Sequence, residues 1–565
     1  MNQLSLITVI SILLIGLSCA RNEDTLKDYT VAGEKTGIDT TAPMVASTNP
    51  TDGANTVVSS ISATFSEVMD HSSINTSSFT LKDASKNSIT GTVTSSDSGS
   101  ATTSTFTPSS EFSRKVEYLA TLTTGIKDLS GNSLLSQTNT SFTQPWSQQM
   151  GTSGRDKTWG SAIDSSNNVY ISGFTEGSLD GNTNSGDFDL FLVKYDSSGS
   201  KQWNQQLGTS SFENVNGLGI DSSSNLFVVG YTESGLDGNT NAGDAGDDSY
   251  GRDAFLVKYN SSGTKQWTKQ FGTNYDETSG GVAIDSSGNI FVTGSTGGGL
   301  DGNTYSGTTT SQCSRCQDLF LVKFNTSGTK QWTNQLGSAY ADPPRGISVD
   351  SSDNIYIAGE NWGGGLDGNS HAGGSWPDIY LVKYNNSGAK QWTKQIGTSS
   401  YESVNGIAID SNDNIYVTGY TQGNLDGETN SYNSDMYLIK YNDSGNKQWT
   451  KLLGTGSSNG DEEGKAITID SSNNIFITGT TTGTFSGNTN FGSIDMFLVK
   501  YNTSGSKQWI KQFGTSSSDY STGIVIDASG YIYVSGYTGG SMDGNNSAGN
   551  YDMVIVKFDS NGTKQ

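Results

Sequence analysis

Four arginines, Arg155, Arg252, Arg315 and Arg345, stand where an otherwise repetitive chain has no need of them. The same connecting segments hold the tryptophans that depart from the repeat, Trp159, Trp362 and Trp376, together with His371. A guanidinium fork binds carboxylate, sulfate or phosphate through paired hydrogen bonds, and an exposed indole face stacks on a sugar ring or an apolar side chain. These eight residues form one candidate ligand-binding group; the competing account is that loops carry most exposed arginine in any case. A second candidate chemistry recurs as Leu-Asp-Gly-Asn-Thr-Asn or a variant. It offers oxygen atoms at alternate positions: Asp180, Asn182 and Asn184; Asp237 and Asn239; Asp301 and Asn303; Asp367 and Asn369; Asp426; Asp543 and Asn545. That is the pattern of the first half of a calcium loop. No Glu follows at the twelfth position, and Asp-Gly-Asn is also an ordinary Asx turn, so calcium and a bare turn both remain open. Cys313-Ser-Arg-Cys316 lacks the two further ligands that zinc needs, and outside the cytosol a local disulfide is expected there. The two histidines, His71 and His371, leave little room for imidazole chemistry, and no G-x-S-x-G or H-E-x-x-H signature is present.

The elements that must position these residues repeat along the chain. Tryptophan recurs in Lys-Gln-Trp at Trp203, Trp267, Trp332, Trp392, Trp449 and Trp509, with Trp146 opening the series and Lys564-Gln565 ending it. Each unit has four apolar runs; from Trp392 they are 391–396, 406–410, 414–420 and 435–441. Four short strands, seven times over, predict an all-β fold, a seven-bladed β-propeller across residues 144–565 whose last blade is closed by the strand at Trp146. Spacing then separates the two faces. From the Lys of each third strand (194, 258, 323, 383, 440, 500) to the next tryptophan is always 9 residues, whereas the second-to-third connections differ in length between units. Antiparallel strands put the variable connections on one face, here called the top, and all eight candidate residues fall in top connections. The constant Asp-Ser-Ser-Asn-Asn and Asn-Ser-Ser-Gly turns lie on the bottom, where tight hairpins explain them without a ligand. The repeated lysines and aspartates read as structural ion pairs or solvated strand ends, and the repeated tryptophans as packing between blades.

The phrases Ile-Asp-Ser-Ser-Asn-Asn, Asn-Ile-Tyr-Val-Thr-Gly and Leu-Val-Lys-Tyr-Asn-x-Ser-Gly-x-Lys-Gln-Trp resemble the seven-bladed propeller (SBBP) repeat family. The resemblance implies the fold and nothing about activity. Sialidases, which use arginines on a propeller, are an analogy only. Ser261-Ser-Gly263 before Trp267 carries no Asp where their Asp-box has one.

Ahead of the repeats, residues 41–143 alternate apolar and polar residues in short runs such as 61–65, 79–81, 103–106 and 118–122, as a β-sandwich does. The ordered set Pro43, Asn49-Pro50-Thr-Asp-Gly53, Phe65-Ser-Glu-Val-Met-Asp70, Phe106-Thr-Pro108, Tyr118 and Gly125-Ile-Lys-Asp-Leu-Ser-Gly-Asn132 resembles bacterial Ig-like domains of the SbsA type. That resemblance implies a spacer presenting other domains. His71 follows the Met69-Asp70 turn and reads as a solvated loop residue. Residues 1–18 form an apolar signal-peptide run ending at Cys19, and Leu17-Ser18-Cys19-Ala20 resembles a bacterial lipoprotein junction in which the cysteine is acylated. The n-region has no Lys or Arg and Gly16 stands where the lipobox has Leu, so an ordinary secretory signal is the alternative. Residues 19–40 are polar and suit a flexible tether.

With 32% hydrophobic residues, 71 Gly and only 7 Pro, the composition suits thin sheets joined by tight turns; 10% aromatic content argues against disorder. The net charge of −24 repels nucleic acid and anionic headgroups. The combined expectation is a monomeric lipoprotein of the cell envelope, at the outer membrane or cell surface. It touches the membrane only through its lipid, needs no cofactor unless calcium binds, and receives a protein or glycan at its top face. The alternative is a glycan hydrolase or lyase using top-face arginines and carboxylates.

Overall fold

The computed structural model describes residues 39–565 apart from 56–57, 111, 113–115, 244–250, 309–315 and 459. The signal run, Cys19 and most of the tether, as well as Cys313 and Arg315, lie outside the described residues.

Alternation in the first domain folds into two four-stranded sheets. One runs Val45–Asn49, Ile61–Phe65, Ala101–Pro108, Gly91–Ser98; the other Ala54–Asn55, Thr138–Thr143, Glu117–Leu122, Phe79–Asp83. Between them lie Ile61, Phe65, Phe79, Phe106, Leu122 and Phe142, each 0 or 1% exposed. A period-two pattern buries one face of each strand, and the two buried faces close on one another.

Seven four-stranded antiparallel sheets follow among the described residues. In all but the last, the strands run in chain order from an inner strand to an outer one; Glu402–Ile409, Ile415–Thr421, Asp435–Tyr441 and Lys447–Leu453 make blade 5. Second and third strands such as Ile415–Thr421 are buried along nearly their whole length, because neighbouring blades cover both faces. Successive inner strands touch all the way round, and the inner strand of the last blade (Asp519–Ile526) touches that of the first (Asp156–Ile163).

The closure follows the chain's phase. The last sheet takes its outer strand from Gln148–Met150 at the start of the repeat region, with Gln149 opposite Val554, and the Trp146 N–H donates to the Gln565 carbonyl at 2.9 Å. An edge that would otherwise stand open at the end of the array is thereby paired. Each repeated tryptophan packs across a blade boundary. The Trp203 indole leans on Tyr170 of its own blade at 6.0 Å and lies under Gly263 of the next, whose φ of 81° and proximity to Trp203 both require glycine.

The bottom lysines stack on rings more than they pair with carboxylates. Lys194 lies 5.2 Å from the Tyr170 ring, Lys258 5.2 Å from Phe227, and Lys440 5.2 Å from Tyr416. The repeated aspartates cap their own turns: Asp164 accepts from the backbone N–H of Ser166 and Asn168 and from Asn168 Nδ2.

Candidate functional site

Each inner strand carries one β-bulge, and all seven fall at the same place. In blade 1, Thr158 pairs with Gly173 and Gly160 with Ser172, leaving Trp159 without a partner across the strand. The same skip leaves Asn216, Gly280 and Arg345 unpaired in blades 2 to 4, and Asn405, Lys465 and Thr522 in blades 5 to 7. A bulge re-aims the extra residue out of the ladder, and inner strands face the central channel. The seven residues, six through side chains and Gly280 through its backbone, accordingly line one cavity of about 750 Å³ in the upper half of the ring. Its other walls include Asn214, Tyr231, Arg252, Glu463, Tyr520 and Tyr537.

The bulge ring went unrecognised as a ring from sequence, although a signal was present. Each bulge residue stands five positions before the repeated Asp of its unit, in a column reading Trp, Asn, Gly, Arg, Asn, Lys, Thr, directly before a column of Gly that one Ala interrupts. Two of its members, Trp159 and Arg345, are among the departures from the repeat.

The remaining candidates divide. Arg252 and Arg345 join Trp159 on the cavity wall, while Arg155, Trp362, Trp376 and His371 do not line it. Trp362 and Trp376 pack instead on Tyr401, at 5.7 and 5.9 Å between ring centroids, and Trp376 is half exposed on the rim. His371 is largely buried, with Nδ1 3.2 Å from Asp378 Oδ2 but without hydrogen-bonding geometry. A convergent anion site is not what the described arginines form. Arg155 Nε donates to Glu176 at 2.7 Å, Arg252 to Glu233 at 3.3 Å and Arg345 to the fully buried Glu360 at 3.1 Å. Glu360 also accepts from Ser403 Oγ at 2.6 Å. The positive charge of each arginine is answered where it stands.

The Leu-Asp-Gly-Asn loops are committed to turn-making. The Asp is left-handed at every one (φ 51° at Asp180, 55° at Asp237) and reaches the lysine of its own blade's Lys-Gln-Trp. The pairs are Asp180–Lys201, Asp237–Lys265, Asp301–Lys330, Asp367–Lys390, Asp426–Lys447 and Asp543–Lys564. The following Asn points its donor inward: Nδ2 of Asn182, Asn239, Asn303, Asn369 and Asn545 bonds the carbonyl two residues before the Gly, as from Asn239 to Leu236 at 2.8 Å. Asn184 Nδ2 likewise bonds the Gly186 carbonyl. Calcium would need these oxygens to converge; among the described residues the loops present no such ligand set, and a lysine occupies the carboxylate. Cys316 is disulfide-bonded, in keeping with the expected local bridge, although Cys313 lies outside the described residues.

A larger feature was missed altogether. At every blade boundary two buried carboxylates face one another. One begins the third strand (Asp189, Asp253, Asp318, Asp378, Asp435, Asp495, Asp552); the other begins the next inner strand (Glu213, Glu277, Asp342, Glu402, Glu462, Asp519, with Asp156 facing Asp552). The inner-strand acids are well bonded: Glu277 accepts from Thr273 N–H, Thr273 Oγ1 and Thr296 Oγ1. The third-strand acids are not. Oδ1 of Asp189, Asp253, Asp318, Asp378 and Asp552 has no hydrogen-bond partner, whereas Asp435 Oδ1 accepts from Ser431 Oγ and Asp495 Oδ1 from the Gly492 N–H. Glycine separates the pair: a Cβ at Gly272 would collide with Asp253 Oδ1 and stand 2.6 Å from Glu277 Oε2. Burial first, then the facing carboxylate, pushes Glu277 and Asp342 up to about 7, and burial raises Asp189 and Asp253 as well.

Comparison with known families agrees with this architecture. A bacterial Ig-like domain model matches residues 39–144, and a beta-propeller repeat model (SBBP) matches 202–237, 266–301, 331–367, 391–426, 448–485 and 508–541. The chain is a bacterial Ig-like domain followed by SBBP propeller repeats. An uncharacterized WD repeat-containing protein of Acanthamoeba polyphaga mimivirus is 26% identical over 364 residues, half of this chain and 26% of that protein. Regulatory protein FlaEY of Caulobacter vibrioides is 25% identical over 246 residues, 40% of this chain and 25% of that protein. The chain thus spans about a quarter of the length of either relative. The WD40 domain of Neurospora crassa Pan2 superposes with a TM-score of 0.39 at 9% identity, covering 72% of this chain and 94% of that domain.

Proposed function

We propose that this SBBP-repeat protein is an exported, lipid-anchored envelope protein, tethered at Cys19, whose Ig-like domain spaces a propeller that receives a protein or glycan partner in its top-face cavity. One observation carries the binding half of this reading. Seven copies of the unit keep Gly or Ala just after the bulge and Ile or Val at the end of the inner strand, yet hold Trp, Asn, Gly, Arg, Asn, Lys and Thr at the bulge, a position each blade turns into the channel. A ring of unlike side chains on a like scaffold is how a symmetric fold acquires an asymmetric site. The hydrolase or lyase alternative would draw on Asp461 and Glu463, two carboxylates on the same wall.

The test places a photocrosslinking residue at position 159 and, as the control, at Lys451 on an outer strand, in the full-length chain in its native envelope. A defined adduct from 159 and none from 451 is the expected result. Equal adducts from both positions, or none from 159, would overturn the cavity assignment.

A further inference from the structure

We infer that the cavity is built for a short, uncharged, hydroxyl-rich ligand, an oligosaccharide of a few neutral rings rather than an anion or a charged peptide. This rests on the cavity being the binding site, and sharpens which chemistry it takes.

The first support is charge. Three cations line the wall, and each has its own carboxylate: Arg252 with Glu233, Arg345 with Glu360 and Lys465 with Glu463. In a confined, partly desolvated site such pairs are costly to break, because separating them leaves a charge facing low-dielectric surroundings. An anionic ligand would have to displace the carboxylates of those pairs, with Asp461 on the same wall repelling it further; a neutral one leaves the pairs intact.

The second support is the apolar surface that remains. Trp159 is 43% exposed and stands on the wall at one side, and Tyr520 and Tyr537 stack on each other beside it at 4.9 Å and 24°. The exposed Trp159 face suits the C–H face of a sugar ring, which is apolar, while its rim carries hydroxyls; Tyr537 itself is buried under Tyr520 and Lys157. Aliphatic lining is sparse, chiefly Val404, Ile494 and two prolines, so the wall lacks the deep apolar pockets that anchor peptide side chains.

The third is the polar remainder. The wall is rich in groups that both donate and accept, Thr278, Thr480, Thr482 and Thr522 among them, together with amides. Nδ2 of Asn216 and of Asn405 is held by the carbonyls of Ser279 and Gly464 in the next blade, which orients each amide rigidly. Hydroxyls, as both donors and acceptors, satisfy such a mixture better than backbone amides in fixed alternation. A volume of about 750 Å³ is also in the range of small-ligand sites.

The test exposes the purified full-length protein to an array of neutral and anionic glycans and of short neutral, acidic and basic peptides. Hits are followed by calorimetry on wild type, Trp159→Ala and, as a control, Lys451→Ala. The expected result is a neutral glycan whose affinity falls about tenfold or more in Trp159→Ala, holds in Lys451→Ala, and changes little between ~50 and ~500 mM salt. An acidic glycan or a peptide that binds in a Trp159-dependent manner would overturn the neutral-saccharide inference while leaving the cavity as the binding site. Binding of any class that ignores Trp159, or no binding across the array, would overturn both. Circular dichroism of Trp159→Ala separates loss of site from loss of fold, and Trp159→Phe, which keeps a flat ring, should restore part of the affinity.

Discussion

Exchanging Asp253 for Asn should stabilise the propeller, increasingly as pH rises from about 4.5 to about 7. Asp253 Oδ2 accepts from the Ala242 N–H at 2.8 Å and from Gln270 Nε2 at 3.0 Å, while Oδ1 has no donor and lies against Gly272 beside Glu277 Oε2. In Asp253→Asn the amide oxygen can keep both bonds, and the amide nitrogen then stands as a donor where the orphaned oxygen was. Glu277 is lifted from 4.5 to about 7 by burial and, after it, by Asp253. At about 1.4 kcal/mol per pH unit, keeping Glu277 ionised in the fold costs ~3 kcal/mol relative to the unfolded chain. A carboxyl whose folded pKa is raised binds its proton more tightly in the folded state. Its penalty is therefore absent below the unfolded value, grows as pH rises from about 4.5 to about 7, and is complete above that. The variant removes the facing charge and adds a hydrogen bond but leaves the larger burial contribution, so the recoverable share is ~1–2 kcal/mol. Urea unfolding followed by circular dichroism at about pH 5 and about pH 8 measures it as the difference between variant and wild type. A gain at pH 8 that disappears at pH 5 is expected. A variant equally destabilised at both pH values would refute the reasoning, since it would mean that Oδ1 has a donor and the pair is no like-charge contact.

Other expectations concern closure, turns and anchoring. Trp146→Ala, which empties a fully buried site against Tyr533 at the closing blade, should lower stability by ~3–5 kcal/mol in denaturant unfolding. Gly263→Ala and Gly302→Ala share a φ near 80°, but a Cβ meets Trp203 at 2.9 Å only in the first. Thermal melts should therefore show the first more destabilised, by ~1 kcal/mol or more; equal losses would mean that backbone strain alone decides. Calcium or a chelator should leave the melting temperature unchanged, because Lys265 and its five counterparts hold the loop carboxylates. Cys19→Ser should move the protein from the membrane fraction to the soluble fraction and abolish metabolic labelling with palmitate.

Much of the fold was readable because a repeat makes the chain its own control. Seven tryptophans at nearly equal intervals, with all length variation confined to alternate connections, define blade number, strand order and the variable face. Trp159 and Arg345 stood out for the same reason. The constant columns misled. Asp253 and Glu277, 24 positions apart in different blades, looked like ordinary acidic residues of a solvated acidic chain, and their facing one another depends on how consecutive blades are rotated and packed. The loop aspartates left calcium and a bare turn both open because ligand spacing and turn spacing coincide; the lysine 21 to 29 residues on that holds each carboxylate is reached only when the outer strand folds back alongside.

What the sequence by itself determined, then, is periodic. Apolar runs set the strands and their count sets the ring. What the tertiary structure alone decided is which residues leave that period. A bulge exists only relative to the neighbouring strand, and a buried like-charge pair only relative to the neighbouring blade. The cavity ring and the carboxylate pairs are both products of contact between units, and for that reason neither can be read from one unit or from the spacing within it.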